Sequence, residues 1–115
     1  MTGKRVFVFS AIGRHDRFVG SLSAQGLSVC GEIGFRDHHW FAPEDCELIL
    51  RRFQESHAEI LVTTEKDAVR MTADRELREN FLRPFPVWIA ELELDLAEGE
   101  ATLLALIDRA LRRAG

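Results

Sequence analysis

Cysteine is scarce: Cys30 and Cys46 are the only two. They lie in apolar surroundings without a C-x-x-C spacing or a clustered set of histidines, which predicts reduced core thiols in a cytosolic protein. Positive charge is not in excess either. A formal net charge of −4 and a pI near 5.5 give no global electrostatic reason to expect nucleic acid as a partner. No stretch approaches the roughly 20 apolar residues of a membrane span, and the N-terminus lacks the apolar run and small-residue cleavage site of a signal peptide. Any membrane association is therefore expected to be peripheral or supplied by another segment. A phosphate-binding GxxxxGK[ST] is missing too. Gly3-Lys4 precedes an apolar run, whereas that motif needs its glycines and lysine between a strand and a helix.

What is present is an ordinary globular composition. With 115 residues, 46% of them hydrophobic and 30% charged, the chain is expected to form a single α/β domain over residues 1–115. Its most informative stretch is Glu59 to Arg70. Ile60, Leu61 and Val62 form a short continuous apolar run, the pattern of a strand covered on both faces. Thr63, Thr64, Glu65, Lys66 and Asp67 then place hydroxyls, carboxylates and an ammonium at its carboxyl end, where open α/β sheets place their sites. Ala68, Val69 and Met71 return to helical spacing. A structural reading fits equally well: Thr63 or Thr64 caps the next helix, and Glu65 and Asp67 complement its dipole.

The same alternation runs through the chain. Val6 to Phe9 reads as a central strand and Ser10 to Gly13 as its turn. A helix follows from about Asp16 to Gln25, ended by Gly26 in a left-handed conformation. Leu27 to Phe35 reads as a second strand. Pro43, Glu44 and Asp45 mark a helix start, after which Cys46, Ile49, Leu50 and Phe53 define its buried face. Residues 73–81 are polar and predict a short exposed helix or turn. Val87, Trp88 and Ile89 read as a fourth strand, whose alternating continuation from Glu91 to Leu96 suggests a sheet edge, or a strand leaving the covered part of the sheet. Leu103, Leu106, Ile107 and Ala110 make a helical stripe, with Arg109, Arg112 and Arg113 near its negative end. Together these predict a three-layer, Rossmann-like α/β fold: a mainly parallel sheet of about four strands with helices on both faces.

Right-handed crossovers would bring Ser10, Asp37 and Thr63 to one rim. There Arg36-Asp37-His38-His39-Trp40 is the most unusual local composition. Asp37 and the histidines suit a metal ion, but adjacent histidines do not readily turn both rings toward one ion, and no second His or Cys pair is suitably spaced. A histidine beside a carboxylate also suits proton transfer to or from a hydroxyl. Alternatively, Asp37 caps the turn, one histidine packs on Trp40 and the other faces solvent.

Taken together, Val6-Phe7-Val8-Phe9-Ser10-Ala11-Ile12-Gly13, Arg17-Phe18, Gly26-Leu27, Phe35-Arg36-Asp37-His38-His39 and Leu61-Val62-Thr63-Thr64-Glu65-Lys66-Asp67-Ala68-Val69 resemble the C-terminal portion of the tetraacyldisaccharide 4'-kinases of lipid A synthesis. The resemblance covers nearly the whole chain. It implies transfer of the ATP γ-phosphate to the 4'-hydroxyl of a lipid A disaccharide precursor at the cytoplasmic face of the inner membrane. It also implies two lobes: the N-terminal one holds the P-loop and the Mg2+ ligands, and this region closes over the site. By position, His38 matches the histidine that supports a catalytic aspartate of the other lobe. Asp37, His39, Thr63, Thr64, Glu65, Lys66 and Asp67 are expected to line or brace the interlobe cleft. Lys66 would complement phosphate charge, or pair with Glu65 or Asp67.

The chain departs from the family pattern at Arg14-His15, where Asn-Pro is common, at Arg36 in place of Pro, and at Ala42 in place of a capping Thr or Ser, which is expected to loosen the start of the second helix. Without GxxxxGK[ST], phosphoryl transfer as the family performs it is not completed by these residues alone, so neither ATP nor Mg2+ is expected to bind tightly to this chain by itself. The alternatives are a stand-alone α/β binding module without catalysis and, more weakly, a metal-dependent hydrolase built on Asp37 and the histidines.

Overall fold

The two apolar runs become the centre of the sheet. The structure, a computed structural model, describes residues 3–37, 39–77, 79, 86–95 and 100–108. Val6 to Phe9 lie in β1 (Arg5–Ser10) and Ile60 to Val62 in β3 (Ile60–Thr64). Apart from Arg5, every residue of both strands is buried, as strands covered on two faces must be. β2 (Ser28–Gly34) lies outside β1, with β4 (Val87–Asp95) and β5 (Glu100–Asp108) beyond β3. The order is β2-β1-β3-β4-β5, with the first four strands parallel and β5 antiparallel to β4.

Period-two alternation sends successive side chains to opposite layers. Val6, Val8, Ile60 and Val62 pack with Phe18 and Leu22 of α1 (His15–Ala24). Phe7, Phe9 and Leu61 pack on the other face with Ile49 and Phe53 of α2 (Pro43–Ser56) and Met71 of α3 (Glu65–Thr72). The fold is therefore the expected three-layer α/β arrangement. Gly26, at φ +90°, follows α1 in the anticipated left-handed conformation. Residues Arg75–Leu77 form one further short helix, α4, within the expected polar segment.

Gly31 is where backbone and core approach most tightly. A Cβ there would stand 2.8 Å from the ring of Phe7, a side chain only 1% exposed. Gly31→Ala is expected to destabilise the domain by about 1–3 kcal/mol through overpacking, read as a lower denaturant midpoint with an unchanged m-value.

Three expectations need correction. Residues 100–108 form a strand, not a helix: a short apolar run fits either element by periodicity, and here pairing with β4 decides. Ala110 and the three C-terminal arginines lie outside the described residues. The same pairing means that β4 is not a sheet edge. Finally, Cys46 is buried but Cys30 is exposed, on the outer strand β2, where the register shifts from Val6↔Val29 to Phe7↔Gly31 and passes over it.

Candidate functional site at the carboxyl rim

Because β1, β2 and β3 are parallel, their carboxyl ends share one rim. The chain leaves β1 for β2 on one side and returns past it to β3 on the other. The reversal point between β1 and β3 is where open α/β sheets form a crevice.

Asp67 lies at that reversal point, with no exposed surface. Its carboxylate oxygens both lie 3.2 Å from the Ala11 N–H, and Oδ2 accepts from the Thr64 hydroxyl at 2.6 Å and from Thr63 at 3.5 Å. Thr64 in turn accepts the Asp67 N–H at 3.2 Å, so it is the cap of α3 that the sequence suggested. Arg70 Nη1 stands 3.8 Å from Asp67 Oδ1. Burial pushes the Asp67 pKa up, outweighing the opposing contributions of Thr64, Ala11, Arg70 and Thr63. Thr63, Thr64 and Asp67 therefore brace the rim from below, whereas Glu65 and Lys66 are exposed on it.

The second turn closes on the first. A Cβ on Gly13 would stand 3.3 Å from Asp37 Oδ2, so the turns after β1 and β2 meet as the topology required. His38 lies outside the described residues. His39 donates its N–H to the Arg36 carbonyl at 2.9 Å, and its Nε2 is 2.9 Å from Asp45 Oδ2. Its ring stacks on Phe35 at 5.0 Å and meets Phe41 edge-on at 5.5 Å. Trp40, which one of the alternatives paired with a histidine, is 71% exposed. Asp45 Oδ2 also accepts the Ala42 N–H at 2.8 Å, so Asp45 and His39 secure the start of α2 despite the alanine at its cap. At Asp45, burial raises the pKa, but the Ala42 N–H and the hydrogen bond and charge of His39 together outweigh it and hold the pKa below its ordinary value.

One constellation was not anticipated. Ser10 Oγ lies 2.6 Å from His15 Nδ1, and His15 Nε2 lies 3.0 Å from Glu32 Oε1. Hydrolases use such a serine–histidine–carboxylate connectivity, but Ser10 has no exposed surface and presents no hydroxyl to a substrate. The array fastens α1, whose first turn lacks a side-chain cap, to β1 and β2. The sequence signal was Gly34: a Cβ there would stand 2.7 Å from the His15 ring. Among the described residues, no group of three or more His, Cys, Asp and Glu is placed to hold a metal ion.

The fold and rim thus define an α/β domain whose polar carboxyl-end turns are braced to one another at a topological switch point. The sequence pattern of the tetraacyldisaccharide-1-P 4'-kinases matches residues 1–112, and the chain belongs to that family. A tetraacyldisaccharide 4'-kinase of Koribacter versatilis is 37% identical over 96% of this chain and 33% of its own length. One from Bdellovibrio bacteriovorus is 35% identical over 97% of this chain and 31% of its own. One from Bradyrhizobium diazoefficiens is 40% identical over 81% and 26%, respectively. The chain spans about a third of the length of the curated relatives it matches. No solved structure matches it.

Proposed function

We propose that this chain is the C-terminal lobe of a tetraacyldisaccharide 4'-kinase, the enzyme that transfers the ATP γ-phosphate to the 4'-hydroxyl of a lipid A disaccharide precursor. The observation carrying this reading is the family match along nearly the whole chain, combined with coverage of only about a third of each relative. The lobe contributes His38, in support of a catalytic aspartate of the N-terminal P-loop lobe, and a rim bearing Asp37, Glu65 and Lys66 that faces the interlobe cleft. Thr63, Thr64 and Asp67 hold that rim in place.

ATP and Mg2+ belong to the partner lobe in this reading. Gly3-Lys4 does not stand in for the P-loop: Lys4 sits at the amino end of β1, 3.9 Å from Glu59, at the opposite end of the sheet from the rim. No helix among the described residues is long and apolar enough to cross a membrane; in this reading the complete kinase lies peripherally on the cytoplasmic face of the inner membrane. A chimera in which this chain replaces the corresponding third of the Koribacter versatilis kinase tests the proposal. Phosphate transfer to the disaccharide is expected from the chimera and not from this chain alone. A folded but inactive chimera would favour the stand-alone binding module.

A further inference from the structure

We propose that Trp40 is a sugar-contacting residue of the kinase, its indole face set against a pyranose ring of the disaccharide and raising affinity for that substrate. The proposal rests on the kinase reading and adds to it a binding contact on the turn between β2 and α2. Trp40 is 71% exposed, although tryptophan is a side chain that folded proteins keep mostly covered. Its two neighbours in the chain are fastened. The His39 N–H closes the turn onto the Arg36 carbonyl at 2.9 Å, and His39 Nε2 meets Asp45 Oδ2 at 2.9 Å, at the start of α2. The His39 ring lies flat on Phe35, with an interplanar angle of 11°. On the other side, Phe41 is 7% exposed and packs edge-on against Phe9 of β1, at 5.9 Å.

The backbone at position 40 is thus held from both flanks, and the indole is presented to solvent by a rigid turn. Loops fixed on a scaffold are where folds carry their binding residues, and a contact presented in advance costs less ordering when its ligand arrives. This turn belongs to the carboxyl rim: Phe35 donates its N–H to the Ser10 carbonyl at 2.8 Å, at the end of β1, and Asp37 abuts the Gly13 turn. The surroundings of the indole decide the kind of ligand. Trp40 and Val69 are the exposed large hydrophobic side chains among the described residues, and Val69 belongs to α3, after a different strand. A bilayer or an acyl chain calls for a continuous apolar surface, which one indole does not make. Close to Trp40 in the chain, Arg36, Asp37 and Glu44 are exposed, and the two carboxylates oppose an anionic membrane. A single aromatic face bordered by charged hydrogen-bonding groups suits a sugar: the C–H groups on one face of a pyranose meet the negative face of the π-system, while its hydroxyls donate to and accept from the polar groups around it.

Three substitutions test the contact in the complete kinase containing these residues. Trp40→Ala is expected to raise KM for the disaccharide about 10-fold, with kcat and KM for ATP within about two-fold of wild type, the pattern of a lost binding contact. Trp40→Phe keeps an aromatic face and is expected to stay within about three-fold of wild type. Trp40→Leu keeps apolar bulk without a π-face and is expected to resemble Trp40→Ala. Because the indole is exposed, all three should keep the wild-type thermal midpoint, recorded on each preparation. Co-sedimentation of the kinase with vesicles of phosphatidylethanolamine and phosphatidylglycerol should be the same for wild type and Trp40→Ala. An unchanged KM for the disaccharide in Trp40→Ala, with the wild-type kinase active, overturns the proposal alone. So does full retention of affinity by Trp40→Leu, which marks an acyl-chain contact, or loss of vesicle binding in Trp40→Ala, which marks a membrane contact. A wild-type kinase carrying this lobe that transfers no phosphate removes the kinase reading, and this proposal with it.

Discussion

Asp67→Ala is expected to destabilise this domain by about 2–4 kcal/mol, the range for removing one member of a buried, hydrogen-bonded charge cluster. The substitution leaves the buried Ala11 N–H without its carboxylate, takes the acceptor from the Thr64 hydroxyl, and removes the negative charge 3.8 Å from Arg70 Nη1. Thr64 would still cap α3 through the backbone N–H of residue 67, so the helix should survive while the junction between β1 and α3 loosens. Asp67→Asn retains a carbonyl for Ala11 and should cost less. Urea unfolding of the three proteins gives the ranking, and equal stability of wild type and Asp67→Ala would contradict the bracing role.

The pH dependence gives the same variant a second readout. The folded pKa of Asp67 is raised, so its contribution is fully present below the unfolded value of about 4 and declines as pH rises through the folded value. Asp45 has the opposite sign. Its folded pKa is lowered, so its contribution is present above the unfolded value and is lost as pH falls through the folded one. The two partly offset each other near the carboxylate range. Asp67→Asn should therefore show a stability that rises more steeply with pH than wild type above the unfolded carboxylate value of about 4.

Much of this arrangement was legible because its signals are local. Continuous apolar runs at Val6–Phe9 and Ile60–Val62 identified the two covered central strands, Pro43 marked the start of α2, and the threonine pair offered the cap of α3, which Thr64 provides. Parallel topology then required the polar turns to share a rim. What was not legible depends on distant pairing. Nothing local distinguishes residues 100–108 as a strand until β4 is beside them. Ser10, His15 and Glu32 are spread over two strands and a helix, and only the fold makes them neighbours. Nor could a string of adjacent Asp and His residues reveal that His39 faces Asp45, six positions onward, with its ring laid on Phe35.

The other large effect concerns His38. The role proposed for it rests on the family motif, at a position in the sequence between Asp37, beside the Gly13 turn, and His39. A residue that raises the basicity of a carboxylate toward a sugar hydroxyl acts in proton transfer, a contribution worth typically 10²- to 10⁴-fold. Nucleotide binding belongs to the P-loop lobe in this reading and should not depend on it. Loss of the side chain should therefore appear in kcat and leave nucleotide affinity alone.

The decisive measurement is the turnover of His38→Ala in the complete kinase, with ATP affinity determined on the same preparation. A fall in kcat of about 100-fold or more, with ATP binding unchanged, is the predicted result. Unchanged turnover would contradict the central claim that this lobe supplies a group to the phosphoryl-transfer site.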